Sequence, residues 1–323
     1  CWLNLSFMRD LIIIGAAAAG CSAAVYAARR HLDFTVISKD IGGEVALSGE
    51  IENWPGTIHT TGDKLADDFH KHVQDYGIEI KDELEVIEIK QKDGRQILKI
   101  KDTDGNIKDI SAKTVIIATG IQPRRLDVPG EEKLKDKGLT YCTVCDGPLF
   151  KGKKTATIGA GDAALESALM LSEIASREYL ITKYPNKKEK KGGFPKAEEI
   201  LIEKVKNNDN IEIIYDAMTQ KIIGDNMVEG VEYEVQNKSK TKTLEVEGVM
   251  VHIGMTPNSD FIDCVEKNEN NEIKVNKLCE TNCKGIFAAG DVTDIPYKQI
   301  SIASGQGTTA ALSVIDYLNK LNE

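Results

Sequence analysis

Short apolar runs alternate with helix-like stretches and glycine-rich turns along most of this chain. Leu11–Ile14 is an unbroken apolar run typical of a strand that is buried on both faces, and the Ala-rich stretch after it predicts a helix to about Arg30. A further apolar run, Phe34–Ile37, predicts the next strand. Strands that alternate with helices indicate a parallel sheet.

The same order of elements occurs twice. In the first half, Lys81–Ile89 and Gln96–Ile110 predict an antiparallel meander, and Thr114–Gly120 predicts a buried strand that ends in a turn. The second half begins near Lys153, and its first helix and second strand are predicted over Ala163–Ala175 and Glu178–Thr182. A second meander and a closing strand are then predicted over Ile211–Tyr215, Lys221–Gly224, Val228–Gln236, Thr243–Glu247 and Val249–Gly254.

The last section has no glycine-rich unit of its own. It holds a strand at Gly285–Asp291 and a helix at Gln306–Leu321, so we expect it to complete the first domain. The predicted fold class is α/β, with two Rossmann-like dinucleotide-binding domains, each of three layers with a parallel sheet and an antiparallel meander. The second domain, residues 122–249, is predicted to be inserted in the first, residues 1–121 and 250–323.

Eighteen residues without a charge, Leu11–Ala28, also fit a membrane anchor or a signal peptide. Gly15 and Gly20 interrupt this run at the places where a nucleotide-binding turn needs glycine. We therefore predict a strand, a turn and a helix here, and no membrane segment.

The first glycine-rich turn matches a dinucleotide cradle in part. Such a cradle uses three glycines, for a tight turn, for close approach of the backbone to the pyrophosphate, and for close helix–strand packing. Gly15 and Gly20 keep the first and third places, whereas Ala17 and then Ala18 stand in the middle of the turn. An ordinary Ala-rich packing helix is the alternative. An acid that binds the ribose hydroxyl is expected at the end of the second strand. Asp40 comes about two residues late, and Ser38 is the weaker candidate for this role.

The second glycine-rich turn keeps the spacing better. Its candidate ligands of a nicotinamide dinucleotide are Gly159, Gly161, Asp162, Ala163, Ala164 and Lys183. Lys183 stands where an acid would hold a free ribose 2′-hydroxyl, so the phosphorylated cofactor, NADPH, is favoured. Lysines at 183, 187, 188, 190, 191 and 196 cluster there, although a charge run of this kind is also typical of a solvated surface loop.

Two cysteines one helical turn apart, Cys142 and Cys145, are followed at once by Asp146. This spacing is typical of a dithiol that opens and closes a disulfide, with the acid as a proton shuttle. A zinc half-site is the alternative, but Cys279 and Cys283 are spaced by three residues and have no histidine near them, so no metal is predicted. We interpret Cys21, Cys264, Cys279 and Cys283 as structural or incidental.

Composition narrows the class of partner and the compartment. The chain has 323 residues, seven cysteines and a net charge of −10. The acidic balance excludes a general nucleic-acid surface, which needs a basic footprint. An odd number of mostly scattered cysteines is typical of a reducing cytoplasm rather than of a secreted disulfide framework.

Together these residues resemble the low-molecular-weight thioredoxin reductases, a family of flavoproteins with two dinucleotide domains. The resemblance covers nearly the whole chain from Met8. It rests on Gly42-Gly43-Glu44, Glu52–Gly56, Ala118-Thr119-Gly120, Cys142–Gly147, Gly159–Ala164, Gly285–Asp291 and Lys298-Gln299.

The resemblance implies an FAD domain made of both ends of the chain and a central NAD(P)H domain that carries the dithiol. It implies that FAD contacts Gly15, Ala17, Ala18, Gly20, Ser38, Gly42, Gly43, Glu44, Asn53, Thr119, Gly120, Asp291, Gln299 and Ile300. By the same resemblance Asp291 holds the ribityl chain, Asn53 and Gln299 lie near the flavin, Cys145 faces the flavin ring and Cys142 attacks the partner's disulfide. Thioredoxin or a similar dithiol protein is the implied partner, and a cytoplasmic homodimer the implied state.

Three departures from the family pattern bear on the cofactors. Glu44 stands where the family usually has glutamine, and Ala17 stands where it has glycine. The family's His-Arg-Arg run is replaced by Thr182-Lys183-Tyr184, so the donor is left open among NADPH, NADH, ferredoxin and flavodoxin. A redox sensor that binds flavin or nicotinamide without turnover is the alternative of another class.

Overall fold

The computed structural model describes residues 8–48, 50–187, 193–194, 197–236 and 241–321, with the side chains of Glu50 and Cys145 excepted. The chain forms two compact units. Unit 1 comprises residues 1–122 and 256–323, and unit 2 comprises residues 123–255. The chain enters and leaves unit 2 through β9 (Ile121–Pro123) and β18 (Met255–Pro257), which pair with each other.

Unit 1 is built around a seven-stranded sheet. The strands of this sheet are β1 (Arg9–Ala16), β2 (Phe34–Ile41), β5 (Ile80–Lys81), β6 (Leu84–Lys92), β7 (Arg95–Asp102), β8 (Ile107–Ile117) and β19 (Ile286–Ala288). Unit 1 also contains the short strands β3 (Glu50–Ile51) and β4 (Thr60–Thr61). Its helices are α1 (Ala18–Arg29), α2 (Gly43–Ala46), α3 (Gly62–Asp75) and α8 (Ile300–Leu321).

The strand β8 links the parallel and antiparallel parts of this sheet. Its second half lies parallel to β1 and β19, and its first half lies antiparallel to β7, which continues to β6. The sequence prediction divides this single strand between the meander and a separate buried strand. The short β3 and β4 form a separate pair.

The apolar run of β1 is buried on both faces. Leu11 and Ile13 pack in the core beneath α1, α3 and α8, whereas Ile12 and Ile14 pack in the core beneath the meander. The helix α1 is rich in alanine because it packs closely against α8. A side chain at Gly307 would come within 2.0 Å of the Ala19 carbonyl oxygen. The uncharged run is therefore a strand, a turn and a helix, and none of the helices within the described residues is long and apolar enough to cross a membrane.

Unit 2 contains a five-stranded parallel sheet in the order β10-β17-β11-β12-β13 and an antiparallel sheet of β14, β15 and β16. Its strands are β10 (Leu139–Thr140), β11 (Lys154–Gly159), β12 (Arg177–Ile181), β13 (Ile211–Ile214), β14 (Ala217–Ile223), β15 (Gly230–Val235), β16 (Thr241–Leu244) and β17 (Gly248–His252). Its helices are α4 (Glu131–Leu134), α5 (Thr143–Asp146), α6 (Asp162–Ile174) and α7 (Glu199–Lys206).

Three details differ from the sequence prediction. The segment at Ile211 pairs parallel to β12 rather than joining the meander, and the short α7 before it supplies the crossover that a parallel strand requires. The helix α8 begins at Ile300 instead of Gln306, because packing against α1 stabilises an opening segment that contains Ser301, Ser304 and Gly305. The predicted boundary after residue 249 would cut β17, which pairs with β11, so unit 2 continues to Met255.

Candidate functional site

A cavity of about 1030 Å³ opens in unit 1 at the carboxyl ends of the parallel strands. This volume is at the upper end for small-molecule and cofactor sites, and the location is the usual one for ligands of open α/β sheets. Its lining includes these predicted site residues: Gly15, Ala17, Ala18, Ser38, Gly43, Glu44, Thr119, Gly120, Asp291, Gln299 and Ile300. Residues distant in the sequence thus meet in one cavity.

The turn between β1 and α1 has the geometry of a nucleotide cradle. Gly15 has a φ of +108°, and a Cβ there would lie 2.2 Å from the Ala118 carbonyl oxygen. A Cβ at Gly20 would lie 1.9 Å from the Gly15 carbonyl oxygen, so this glycine serves close packing beneath the cavity rather than lining it. Ala17 precedes α1 in extended conformation, and the first N–H groups of a helix favour an anion such as pyrophosphate.

The two residues predicted for the ribose behave differently. The Ser38 hydroxyl is buried and donates a hydrogen bond to the Asp40 carbonyl oxygen, so its proton is already used. The Asp40 side chain is exposed and belongs to the cavity wall. Of the two, Asp40 is the better placed hydrogen-bond acceptor for a ligand hydroxyl.

Two carboxyl groups of the cavity wall interact with each other. Burial, followed by the charges of Asp40 and Asp291, raises the pKa of Glu44. Burial also raises the pKa of Asp291, and the Lys298 ammonium opposes this rise. A ligand hydroxyl that donates a hydrogen bond to either acid would stabilise its ionised form.

The turn that carries Asp291 is held by a residue that sequence reasoning missed. The Gln306 amide oxygen accepts hydrogen bonds from the Gly290 N–H (2.8 Å) and from the Thr293 hydroxyl (3.2 Å). Gly290 has a φ of +78°, a conformation that glycine adopts without strain. The sequence carries no signal for this role, since Gln306 lies within a predicted helix and outside every recognised motif.

Asn258, which follows the predicted strand Val249–Gly254, was also missed. Its side-chain N–H₂ donates to the Thr119 carbonyl oxygen (2.8 Å), and its carbonyl oxygen accepts from the Thr119 hydroxyl (2.6 Å). These bonds fix the Thr119-Gly120 corner of the cavity.

The Asn53 amide donates to the Gln299 side-chain oxygen (3.3 Å), which brings these two predicted flavin contacts together. Gly42 has a φ of +92° and packs against Ala46 and Ala66 rather than lining the cavity.

The two cysteines of the predicted redox pair lie in unit 2, at the one-turn helix α5. Cys142 is disulfide-bonded and half-buried. The Cys145 backbone lies in α5, whereas its side chain lies outside the described part of the chain. Thr140 organises this segment: its hydroxyl accepts from the Cys142 N–H (3.1 Å) and donates to the Asp146 carboxylate (2.5 Å). Asp146 is therefore fixed at the end of α5, which we call the disulfide helix, where it fits the predicted role of proton shuttle.

The second cradle lies in the same unit, between β11 and α6. A Cβ at Gly159 would lie 2.2 Å from the His252 carbonyl oxygen and 2.6 Å from the Ala164 Cβ, so strand and helix pack as closely as such a cradle demands. Gly161 faces open space: no heavy atom of the described residues lies within 4 Å of a Cβ built there. This free approach to the backbone is what a pyrophosphate needs. Ala163, within the first turn of α6, is exposed beside it.

Negative charge surrounds the second cradle. The Asp162 carboxylate accepts a hydrogen bond from the Glu198 N–H (2.7 Å), which joins the start of α6 to the start of α7. Burial, followed by the charges of Asp162 and Glu198, raises the pKa of Glu166. Three carboxylates near one helix N-terminus weaken its attraction for an anionic cofactor.

Lys183 is exposed after β12, and its ammonium lies 5.6 Å from the Tyr184 ring centroid. The lysines at 188, 190, 191 and 196 lie outside the described residues, so the basic cluster stays a prediction.

The remaining described thiols, Cys21, Cys264, Cys279 and Cys283, are free. Within the described residues no group of His, Cys, Asp and Glu side chains has the arrangement of a metal site.

Comparison with known proteins identifies the family. A model of the pyridine nucleotide-disulphide oxidoreductases matches residues 9–307. The F component of the alkyl hydroperoxide reductase of Escherichia coli is 37% identical over 318 residues, which are 98% of this chain and 59% of that protein. NADH dehydrogenase of Bacillus subtilis is 36% identical over 310 residues, 96% of this chain and 58% of that protein. The chain thus spans about three-fifths of the length of these relatives.

Solved structures of thioredoxin reductases resemble this chain over nearly its whole length. The Lactococcus lactis enzyme has a TM-score of 0.82 and 28% identity, and the T. acidophilum enzyme has a TM-score of 0.79 and 34% identity. Each match covers 97% of this chain and 99% of the other. The fold, with its two dinucleotide-binding-like domains, is confirmed by these matches, and they imply FAD and a pyridine nucleotide as cofactors.

Proposed function

Because the chain belongs to the pyridine nucleotide-disulphide oxidoreductase family, we propose that it reduces the disulfide of thioredoxin or of a similar small dithiol protein. The electrons would come from NADPH and pass through FAD to the Cys142–Cys145 pair. The observation that carries the proposal is the disulfide-bonded Cys142 beside α5, in the same unit as the open Gly159–Ala164 cradle.

Unit 1 is the proposed FAD domain, and its residues fit that cofactor. The N-terminus of α1 and the Gly15 turn would hold the pyrophosphate, Asp40 the adenosine ribose, and Asp291 the hydroxyls of the ribityl chain. Asn53 and Gln299, already hydrogen-bonded to each other, would lie near the flavin ring. Bound FAD supplies the two-electron chemistry that connects a hydride donor with a disulfide.

The dithiol residues have separate proposed roles. Two-electron reduction breaks the sulfur–sulfur bond, and proton uptake yields the reactive thiolate–thiol pair. Cys142 then attacks the partner's disulfide, and Cys145 displaces the partner as a dithiol. Asp146, held by Thr140, would deliver the proton to the leaving thiolate. The balance is NADPH, one proton and an oxidised dithiol protein giving NADP⁺ and the reduced dithiol protein.

Unit 2 is the proposed nicotinamide domain. Its proposed preference for NADPH over NADH depends mainly on the positive charge of one side chain, Lys183. Lys183 stands where NADPH needs a cation, but a lysine is a mobile point charge without the paired hydrogen bonds of arginine. The carboxylates of Asp162, Glu166 and Glu198 also oppose anion binding. We therefore expect modest preference for NADPH over NADH, and a smaller preference in Lys183→Ala.

A specific observation favours a second candidate donor. The relatives with about 36% identity include a protein named NADH dehydrogenase. The same flavin and disulfide chemistry fed by NADH, or by ferredoxin or flavodoxin, is therefore the main alternative. A sensor without turnover is the alternative of another class.

The deciding experiment is an anaerobic titration of the FAD-loaded protein with NADPH and with NADH, followed by turnover with oxidised thioredoxin. Loss of visible flavin absorbance at lower NADPH than NADH concentration, and thioredoxin-dependent NADPH oxidation that Cys142→Ser abolishes, are the expected results. Reduction by NADH at lower concentration would reject the proposed donor. Reduction without turnover of any dithiol protein would favour the sensor.

We expect the protein to be located in the cytoplasm and to form a homodimer. Cell fractionation and light scattering, respectively, would check these two expectations.

A further inference from the structure

A row of polar side chains, buried except for the half-buried His252, lies beneath the disulfide helix of unit 2, on a sheet face that normally packs apolar groups. They come from five different elements. The members are Thr143 on α5, Thr155 and Thr157 on β11, Ser167 on α6, Glu178 on β12 and His252 on β17.

Hydrogen bonds connect the α5 end of this row. The Thr143 hydroxyl lies 2.8 Å from His252 Nε2 and 2.6 Å from the Ser167 hydroxyl, and the Ser167 hydroxyl lies 3.3 Å from that of Thr157. In each of these three hydrogen bonds, either of the two atoms can be the donor. A hydroxyl carries one proton, so reversing the direction of one bond reverses its neighbours.

The other end of the row is the carboxyl group of Glu178. The Thr155 hydroxyl donates to Glu178 Oε2 (2.5 Å). Thr157 follows two residues later on the same face of β11, and its hydroxyl and N–H oppose the rise in the pKa of this carboxyl group without forming a hydrogen bond to Oε1 at standard distance and angle. Within the described residues, Oε1 has no hydrogen-bond partner at standard distance and angle. A completely buried carboxyl group with one unsatisfied oxygen favours the neutral acid, whose proton needs an acceptor such as the Thr157 hydroxyl.

The strand register places the row on a single face of the sheet. Thr155 pairs with Glu178, and Gly159 pairs with His252. Positions 155, 157 and 159 of β11 are two residues apart and therefore share one face of the sheet, and their register partners Glu178 and His252 lie on that face too. The helices α5 and α6 cover this face. His252 is thus at the carboxyl end of β17, next to the second cradle, while Glu178 lies deep in the unit.

Both titratable members are uncharged at neutral pH. Burial raises the pKa of Glu178 to about 8, although the Thr155 and Thr157 hydroxyls oppose this rise. Burial lowers the pKa of His252 to about 4. The row therefore links a neutral acid to a neutral imidazole through neutral hydroxyls.

Other charged groups near the row act elsewhere. Lys154, Arg177 and Glu212 belong to the opposite face by register, and Arg177 pairs with Glu212 there. On α6, Glu173 is exposed, and Glu166 responds to Asp162 and Glu198 at the cradle. On α5, Asp146 is bonded to Thr140. On α7, which packs against α6 and β13, the charged side chains Glu199, Glu203, Lys204 and Lys206 are exposed to solvent.

We propose that Glu178, Thr157, Ser167, Thr143 and His252 form one proton-ordered hydrogen-bond chain that ties the disulfide helix to the sheet, and that the proton on Glu178 sets the direction of every bond in it. When Glu178 is protonated it donates to Thr157, each hydroxyl donates to the next, and His252 Nε2 accepts from Thr143. The imidazole then carries its proton on Nδ1.

Ionisation of Glu178 reverses this order. The carboxylate accepts from Thr157, Thr157 accepts from Ser167, and Ser167 accepts from Thr143. His252 must then donate from Nε2, so its proton leaves Nδ1 and the imidazole changes tautomer without changing charge. Glu178 and Ser167 are positioning residues in this proposal, because they act on the disulfide helix through Thr143.

The role of the chain in disulfide chemistry rests on the proposed function, but the tautomer change does not. The test is therefore a ¹⁵N NMR measurement of the His252 ring in the full-length, FAD-loaded, oxidised protein between about pH 6.5 and about pH 9.5, a range that brackets the Glu178 titration. The wild type should show Nε2 unprotonated at the acid end and protonated at the alkaline end, with a midpoint near the pKa of Glu178, about 8.

Two variants interrupt the chain at different points. Glu178→Gln removes the titrating group, and Ser167→Ala removes the link between Thr157 and Thr143, so in both the His252 tautomer should not change over this range. Ser172→Ala, on the same helix but hydrogen-bonded to Leu169 and Asn208, is the matched control and should retain the change. If Glu178→Gln does not fold, Ser167→Ala still decides.

A constant tautomer in the wild type, or a change that persists in Ser167→Ala, would overturn the proposal. Thioredoxin turnover is measured on the same samples to separate the two hypotheses. Normal tautomer change without turnover of any dithiol protein rejects the proposed function and leaves the chain intact. Turnover with a constant tautomer rejects the chain alone.

Discussion

At the scale of single residues, environment determines chemistry more than residue type does. Cys142 is half-buried and bonded in a disulfide, whereas burial raises the pKa of Cys21 and Cys264 to about 12. A thiol that stays protonated is a poor nucleophile. The raised pKa values support the prediction that Cys21 and Cys264 are structural or incidental, whereas the reactivity of the Cys142–Cys145 pair stays a prediction.

The two cysteines of the pair should differ as nucleophiles. We expect reduced Cys145→Ser to displace thionitrobenzoate rapidly from a single-cysteine thioredoxin carrying that group, leaving a covalent adduct through Cys142. Cys142→Ser should react at least about tenfold more slowly, since the proposed attacking thiolate is gone. Release of thionitrobenzoate is followed by absorbance, and the adduct by non-reducing electrophoresis. The reverse order of rates would show that the roles are exchanged.

Asp291 should be the carboxyl group on which FAD retention depends most. Losing a hydrogen bond to a charged group costs about 1.5–3 kcal/mol, so Asp291→Ala should weaken FAD binding by about tenfold or more. Asp316→Ala, a change on α8 in the same unit and away from the cavity, is the control. The measurement is fluorescence titration of the apoprotein with FAD. Equal affinity in the two variants would argue against contact between Asp291 and the cofactor.

At the scale of elements, the strength of the local signal decided what the sequence could predict. The strand β1 and the two cradles follow from apolar runs that end in glycine at fixed spacing, and these short-range patterns survive in the structure. The helix α7 has eight residues and follows a lysine-rich segment, so its pattern was too short to read. Without it, the parallel strand at Ile211 was placed in the meander.

Side-chain networks were beyond sequence reasoning for another reason. Thr143 and His252 are 109 positions apart, and neither belongs to a recognised motif. Their meeting depends on the order of strands in the sheet, which places β17 beside β11. Asn258 was missed in the same way, because it supports Thr119 from 139 positions away. Gln306 was missed because it belongs to no motif, although it follows the Gly290 turn by only 16 positions.

The short helix α4 should be essential to the segment that leads into the disulfide helix. The buried Glu131 carboxylate accepts hydrogen bonds from the N–H groups of Leu126 and Asp127, each at 2.7 Å, and from the Tyr141 hydroxyl at 2.5 Å. Glu131→Ala leaves these donors unsatisfied and should destabilise the protein by about 3 kcal/mol. Glu132→Ala removes a mainly exposed pair with Arg125 and should cost less than about 1 kcal/mol. Urea denaturation measures both, and similar costs would contradict the assigned role.

At the scale of the whole molecule, the two units divide the work. Unit 1 collects the proposed FAD ligands from both ends of the chain around one cavity, while unit 2 carries the disulfide, the second cradle and the buried polar chain within a continuous segment. Stability can therefore respond to pH through groups of unit 2 that have no part in the cavity of unit 1.

Glu178 and His252 should give the stability of the protein opposite pH dependences. The pKa of Glu178 rises from 4.5 to about 8 on folding, so between these values the folded chain keeps a proton that the unfolded chain releases, and stability falls with rising pH. The pKa of His252 falls from 6.5 to about 4, so between those values the unfolded chain binds the extra proton, and stability rises with pH. Each effect is at most about 1.4 kcal/mol per pH unit.

Between pH 4.5 and 6.5 the two effects on stability cancel in part. Between pH 6.5 and 8 only the decrease in stability caused by Glu178 remains. We expect Glu178→Gln to abolish the decline above pH 6.5, and His252→Asn to start the decline already near pH 4.5. Differences in thermal unfolding midpoint between each variant and the wild type, measured at each pH, isolate these contributions from all other titrating groups. Parallel curves for Glu178→Gln and the wild type from pH 6.5 to 8 would mean that Glu178 does not hold its proton in the folded protein, and the direction of the buried hydrogen-bond chain would then need another determinant.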